Sequence, residues 1–245
     1  MANYDGLVLV AGATGGVGRR VVKALVNEGI KTRVLVRDNK KGEILAKLGV
    51  EVFIIDVANP QTTAETFAKA LEGVTAIISA LGTRQMFSNT NGLKQVDYFG
   101  NKRLIDAAKV KGVKRYILNS TMGVYQERSL LHPFSIPFYP KWQAEEYLVK
   151  SGLSYTIIRP GGLVDTDEAL KLPSGAKRRP VLAESQLSGD GGFNILGRVH
   201  REDVALAMVR CLWTPQMQSR IYDLLDYSSV KPNKREKIVK ELSVS

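Results

Sequence analysis

The 245-residue chain has one cysteine and two histidines, and that scarcity removes several kinds of chemistry at once. Cys211 can form no disulfide within the chain. Its neighbours Ala207, Met208, Val209 and Leu212 predict a buried helical thiol in a reducing compartment rather than a nucleophile. His132 and His200 stand in no metal-ligand spacing, so no metal is expected, and His200 with Glu202 and Asp203 reads as the capped start of a helix. No Gly-x-Ser-x-Gly or Cys/His constellation argues for a hydrolase. No apolar run approaches the roughly 18 residues of a membrane span, and the first residues lack a signal-like apolar segment, so a cytoplasmic protein is expected. No Pro- or Ser-rich linker divides the chain, so residues 1–245 are expected to form one domain.

Acidic residues are also short in supply: 24 Asp and Glu face 35 Lys and Arg, a net charge of +11. That balance favours anionic partners, from a phosphorylated cofactor to an acidic membrane surface. The basic residues are densest at Lys171, Lys177, Arg178 and Arg179, and at Lys231, Lys234, Arg235, Lys237 and Lys240. No aromatics or nucleic-acid motif accompany them, so no specific nucleic acid is expected, while weak contact with an acidic membrane stays open.

What the chain does have is a glycine-spaced turn. Gly12, Thr14, Gly15, Gly16, Val17 and Gly18 follow the apolar run Leu7–Val10 and precede the helical pattern Val21, Val22, Ala24, Leu25. In that setting the first glycine allows a tight turn off the strand, the second admits a pyrophosphate, and the third lets helix and strand pack closely. A dinucleotide-binding turn is expected.

Further apolar, partly β-branched runs at Thr32–Val36, Val52–Ile55, Ala76–Ser79, Tyr116–Asn119 and Tyr155–Ile158 predict five more strands. Helix-length segments separate them at Lys40–Leu48, Thr62–Leu71, Leu93–Lys111 and Trp142–Ser151, followed by Gly49, Gly73, Gly112 and Gly152 at C′ positions. The alternation predicts an α/β fold, a doubly wound parallel sheet of the Rossmann type with its ligand at the carboxyl ends of the strands. Beyond residue 163 the pattern is irregular until a helix at Arg201–Trp213 and a last strand at Arg220–Leu225. Residues 163–195 and 214–245 are expected to form a substrate or partner region of the same domain.

Arg37 at the end of the second strand favours the 2′-phosphate of NADP, although Asp38 beside it keeps NAD open as the lesser alternative. Asp56 and Val57 after the third strand, and Ala80, Leu81 and Gly82 after the fourth, fall where the adenine and its ribose meet the sheet edge. Asp56 is equally suited to an Asx turn.

These features resemble the atypical short-chain dehydrogenases/reductases, in the NAD(P)H-binding, NmrA-like branch that includes the plastid Tic62 protein and biliverdin/flavin reductase-like proteins. The likeness rests on Gly12–Gly18, Val36-Arg37-Asp38, Ser120-Thr121 and the run from Lys141 through Glu145 and Arg159-Pro160-Gly161-Gly162 to Leu163. It implies that Ser120 faces substrate, that Lys141 orients the nicotinamide ribose, and that Pro160, Gly161 and Gly162 line the carboxamide. It also makes the plastid stroma the expected compartment should the source be a photosynthetic eukaryote. The family tyrosine four residues before the lysine is missing, because position 137 is proline; Tyr125 and Tyr139 lie nearby. Two readings follow. In one, the chain is an NADP-dependent oxidoreductase passing hydride to a small organic acceptor, with Ser120, Lys141 and Tyr125 as the catalytic set. In the other, it is a non-catalytic NADP(H)-responsive regulator or scaffold for a partner protein.

Overall fold

A computed structural model of the chain describes residues 4–83, 85, 92–124, 138–172, 175–186, 188 and 197–230. The strands are β1 (Leu7–Ala11), β2 (Thr32–Val36), β3 (Glu51–Ile54), β4 (Val74–Ser79), β5 (Arg115–Asn119), β6 (Tyr155–Pro160), β7 (Gly162–Val164), β8 (Pro180–Ser185), β9 (Arg198–His200) and β10 (Arg220–Asp226). The helices are α1 (Gly18–Asn27), α2 (Asn39–Ala46), α3 (Ala64–Ala70), α4 (Asn101–Val110), α5 (Tyr139–Val149), α6 (Asp167–Leu170) and α7 (Arg201–Arg210). Eight strands form one sheet in the order β3-β2-β1-β4-β5-β6-β10-β8, parallel except for the antiparallel pairing of β8 with β10. The expected Rossmann-type fold is therefore present as a single domain.

Alternate residues of each central strand serve opposite cores, which is why the strands read as continuous apolar runs. Val8, Val10, Val34, Ile78, Ile117 and Ile158 face α1 and α7 through Val21, Leu25, Val204 and Met208. Leu9, Ile77, Tyr116, Leu118 and Ile157 face the other layer, where Phe67, Leu104, Ile105 and Leu148 meet them. Gly49, Gly73, Gly112 and Gly152 all adopt positive φ, as C′ glycines do.

Two expectations need correction. The irregular stretch after residue 163 contains β7, α6 and β8. Their signals are weak for physical reasons: β7 has three residues, α6 one turn, and β8 starts on a proline, which sheets accept only on edge strands, at strand starts or at bulges. The single helix expected over Leu93–Lys111 is instead a π-helical segment, Lys94–Gly100, running into α4.

Cys211 behaves as its neighbours implied. It is fully buried at the end of α7, donates its thiol to the Ala207 carbonyl, and burial pushes its pKa up to about 12. His200 caps α7, its Nδ1 accepting from the Glu202 N–H at 3.2 Å.

Candidate functional site

The carboxyl end of β1 feeds directly into the glycine turn. Gly12 has φ +77°, and a Cβ there would lie 2.5 Å from the Ala80 carbonyl oxygen. A Cβ on Gly18 would lie 2.1 Å from the Gly12 oxygen, so α1 abuts the turn only because glycine stands at both places. The Gly15 N–H donates to the Gly12 carbonyl at 2.9 Å and closes the loop. Gly15 itself opens into a cleft of about 220 Å³, lined also by Gly12, Thr14, Leu35, Val36, Arg37, Ile55, Asp56, Val57, Ala58, Ala80, Leu81, Gly82 and Val96. Most of the residues expected at the pyrophosphate, adenine and ribose levels are thus brought to one cleft. Val17 and Gly18 instead serve the core and the helix start, and Gly16 lies under the Arg201 side chain.

At the end of β2, Asp38 is the N-cap of α2, its carboxylate accepting from the Lys41 N–H at 3.0 Å. Arg37 lines the cleft from an exposed position. Asp56 performs the Asx-turn duty foreseen for it, accepting from the Ala58 N–H at 2.9 Å while lining the same cleft.

Farther along the sheet edge, Ser120 follows β5 with its backbone N–H bonded to the Ile158 carbonyl at 2.8 Å. Its hydroxyl is buried and has no hydrogen-bond partner among the described residues; the same holds for the side-chain oxygen of Asn119. Ser120 is therefore not a cap. Buried polar groups left in this state carry a desolvation cost unless a ligand meets them.

Lys141 stands in the first turn of α5, its Nζ 2.6 Å from Asp97 Oδ1 and 3.4 Å from the Leu81 carbonyl. Asp97 is wholly buried on the π-helical segment, a deformation common at functional sites. One turn beyond Lys141, Glu145 forms a fully buried ion pair with Arg159 of β6 at 2.6 Å, and Arg159 also donates to Ser185 Oγ and the Gln186 carbonyl. That pair fixes α5, and with it Lys141, against the sheet.

Tyr125 and Pro137 lie outside the described residues. Tyr139 is half exposed and stacks on Trp142 with ring centroids 5.7 Å apart. Pro160, Gly161 and Gly162 form a strand junction, the Met122 and Gly161 N–H groups bonding to Pro160 and Leu224 carbonyls at 2.9 Å. A Cβ on Gly161 would lie 2.4 Å from the Gly197 oxygen, so backbone approach already accounts for that glycine.

Asp97 and Asn119 escaped the sequence reading. The signal for Asp97 was an acid inside the apolar helical pattern around Val96, and for Asn119 its place immediately before Ser120. The basic group near residue 178 is not a bare cationic patch: Arg178 pairs with Glu202 and approaches Asp167 and Asp203, and Arg179 lies 4.8 Å from the Tyr227 ring centroid. The segment 231–240 lies outside the described residues. Among the described residues, no helix is long and apolar enough to cross a membrane.

A glycine turn packed too closely for Cβ atoms, a cleft at the strand ends and, farther along the sheet edge, buried Ser120 and Asn119 oxygens without a partner among the described residues fit a dinucleotide, and they define a Rossmann-type NAD(P)H-binding protein. A family model described as NAD(P)H-binding matches residues 12–215, and the chain belongs to that family. It is 34% identical over 191 residues to the chloroplastic protein TIC 62 of Pisum sativum, covering 68% of this chain and 34% of that protein. It is 29% identical over 219 residues to the photosystem II assembly factor Ycf39 of Trieres chinensis, covering 89% of this chain and 63% of that one. The chain thus spans about a third to two thirds of the length of these two relatives. Among solved structures, ChuY, an anaerobillin reductase from Escherichia coli O157:H7, superposes with a TM-score of 0.70 at 27% identity, covering 92% of this chain and 99% of that one.

Proposed function

We propose that the chain is an NADP(H)-dependent reductase that delivers hydride to a small conjugated organic acceptor. The observation that carries this reading is the buried Ser120 hydroxyl which, like the oxygen of the adjacent Asn119 at the carboxyl end of β5, has no hydrogen-bond partner among the described residues. When bound, NADPH supplies the hydride. Ser120 is then a hydrogen-bond donor to negative charge developing on the acceptor, and Lys141 orients the nicotinamide ribose from the start of α5. Preference for NADP is supported by Arg37 at the cleft, while Asp38, the residue that would favour NAD, is engaged in capping α2. A conjugated acceptor suits a site without the family tyrosine, because water can supply its proton. The similarity to an anaerobillin reductase is consistent with such an acceptor.

The test is NADPH oxidation across quinones, flavins, tetrapyrroles, dicarbonyls and enones. Ser120→Ala is expected to hold NADPH affinity within about twofold and to lower kcat by roughly 10²–10³. Lys141→Ala is expected to weaken NADPH binding roughly 10- to 100-fold. Because that change also strands Asp97, the comparison is made in an Asp97→Asn background, where the buried charge is gone. Equal kcat in wild type and Ser120→Ala would remove Ser120 from the chemistry.

A second reading, an NADP(H)-responsive assembly or regulatory protein, is favoured by proline at position 137 in place of the tyrosine. The relative named as a photosystem II assembly factor also supports it. It would act through a partner protein, in the stroma or the cytoplasm, and the basic segments would be its route to an acidic membrane surface. Tight NADPH binding with no turnover on the whole panel favours this reading over the first.

A further inference from the structure

Gly16 has no side chain, and the volume a Cβ would enter is taken by a residue 185 positions later. That Cβ would lie 2.9 Å from Arg201 Cδ and 3.0 Å from Arg201 Nε. The guanidinium stem therefore lies against the glycine turn, at the start of α1. Asp165 holds it there: one carboxylate oxygen pairs with Arg201 Nη1 at 2.6 Å, the other with Arg20 Nη2 at 3.0 Å. Arg20 is tied in turn to the turn itself, donating to the Gly16 carbonyl at 2.8 Å. Burial acts to raise the Asp165 pKa, and Arg201, Arg20 and Arg19 together more than reverse it, leaving the carboxyl below the ordinary value.

Three guanidiniums, of Arg201, Arg20 and Arg19, act on the Asp165 carboxylate, and Arg20 acts on Glu202 as well. Only Nη1 of Arg201 is engaged among the described residues, and its side chain is 15% exposed. The N–H groups of Gly16 and Val17 likewise meet no acceptor among the described residues. An unmet backbone N–H and a partly desolvated guanidinium thus both belong to the surroundings of Gly16, a combination suited to an oxyanion bearing more than one charge.

We propose that Arg201 is a ligand of the cofactor pyrophosphate, braced over the glycine turn by Asp165. The inference rests on the reading of the turn as a dinucleotide site, and extends it by a residue outside the nucleotide-binding half of the chain. It links α7 to cofactor binding and makes the Asp165–Arg20 pair a positioning device.

The test is binding by calorimetry of three probes: NADP⁺, 2′-phospho-ADP-ribose and adenosine 2′-monophosphate, of which only the first two carry a pyrophosphate. Arg201→Met keeps an unbranched side chain over Gly16 and removes the charge. It is expected to weaken NADP⁺ and 2′-phospho-ADP-ribose alike, by roughly 10- to 100-fold, and to leave adenosine 2′-monophosphate within about twofold. Arg201→Lys, which keeps the charge without the planar fork, is expected to fall between wild type and Arg201→Met on the first two probes only. Unchanged NADP⁺ affinity in Arg201→Met, or equal weakening of all three probes in either variant, overturns the proposal while leaving the dinucleotide site standing. Failure of the wild type to bind any of the three overturns both.

Discussion

Gly15→Val is expected to raise the Kd for NADPH by at least about 100-fold while the protein stays folded. The asymmetry follows from where a side chain at this position would go. A Cβ on Gly15 meets only the Gly12 carbonyl oxygen, at 3.2 Å, a tight contact that a backbone shift of a few tenths of an ångström relieves, and the backbone there is not in the left-handed region, so the fold is expected to survive the change at some cost in stability. The rest of the valine projects into the cleft where the turn would cradle phosphate. Gly18 offers the contrast: its Cβ would stand 2.1 Å from the Gly12 oxygen, and substitution there breaks the packing of α1 on β1. Titration with NADPH together with thermal unfolding checks the prediction; unchanged affinity in a folded Gly15→Val protein would take the turn out of the site.

Glu145→Ala is expected to be the most damaging single truncation for stability outside the apolar core. Glu145 and Arg159 have no exposed side-chain surface, and removing the carboxylate takes the ion-pair partner from a buried guanidinium that keeps its bonds to Ser185 and Gln186. Stranding one member of such a pair costs about 3–5 kcal/mol. For a chain of this size that lowers Tm by roughly 6–20 °C. Because Glu145 lies one helical turn from Lys141, the variant is also expected to lose NADPH affinity below its melting temperature. A fall in Tm of less than about 3 °C would mean that α5 is held by something else.

The parts of the site legible in the sequence are those that local rules dictate. The turn at Gly12–Gly18, the apolar strands and the C′ glycines follow from backbone geometry and burial, and these act over a few residues. Asp56 could be assigned a turn role from its type and place, and His200 a capping role. What stayed hidden depends on contacts made across the fold. Nothing near Asp97 in the chain announces that it pairs with Lys141, 44 positions on, and the π-helical segment that delivers it has no pattern distinct from the α-helix it continues. Arg201 reads locally as a helix start, and only the closure of α7 on α1 brings it over Gly16. β8 was invisible because it opens on proline, which reads against a strand, and only its antiparallel pairing with β10 makes it an edge strand of the sheet. Gly161 was noticed for its likeness to a cofactor-lining segment, yet the structure gives it a packing reason in the approach of Gly197.

The preference for NADP joins Arg37 and Asp38 to function, and a paired calorimetric titration of the wild-type chain with NADPH and NADH tests it most directly. NADPH is expected to bind at least about 10-fold more tightly, since a charged hydrogen bond to the 2′-phosphate contributes roughly 1.5–3 kcal/mol, and Arg37→Glu is expected to erase the difference. Equal or tighter binding of NADH by the wild type would contradict the assignment of Arg37, and binding of neither would contradict the cofactor site itself.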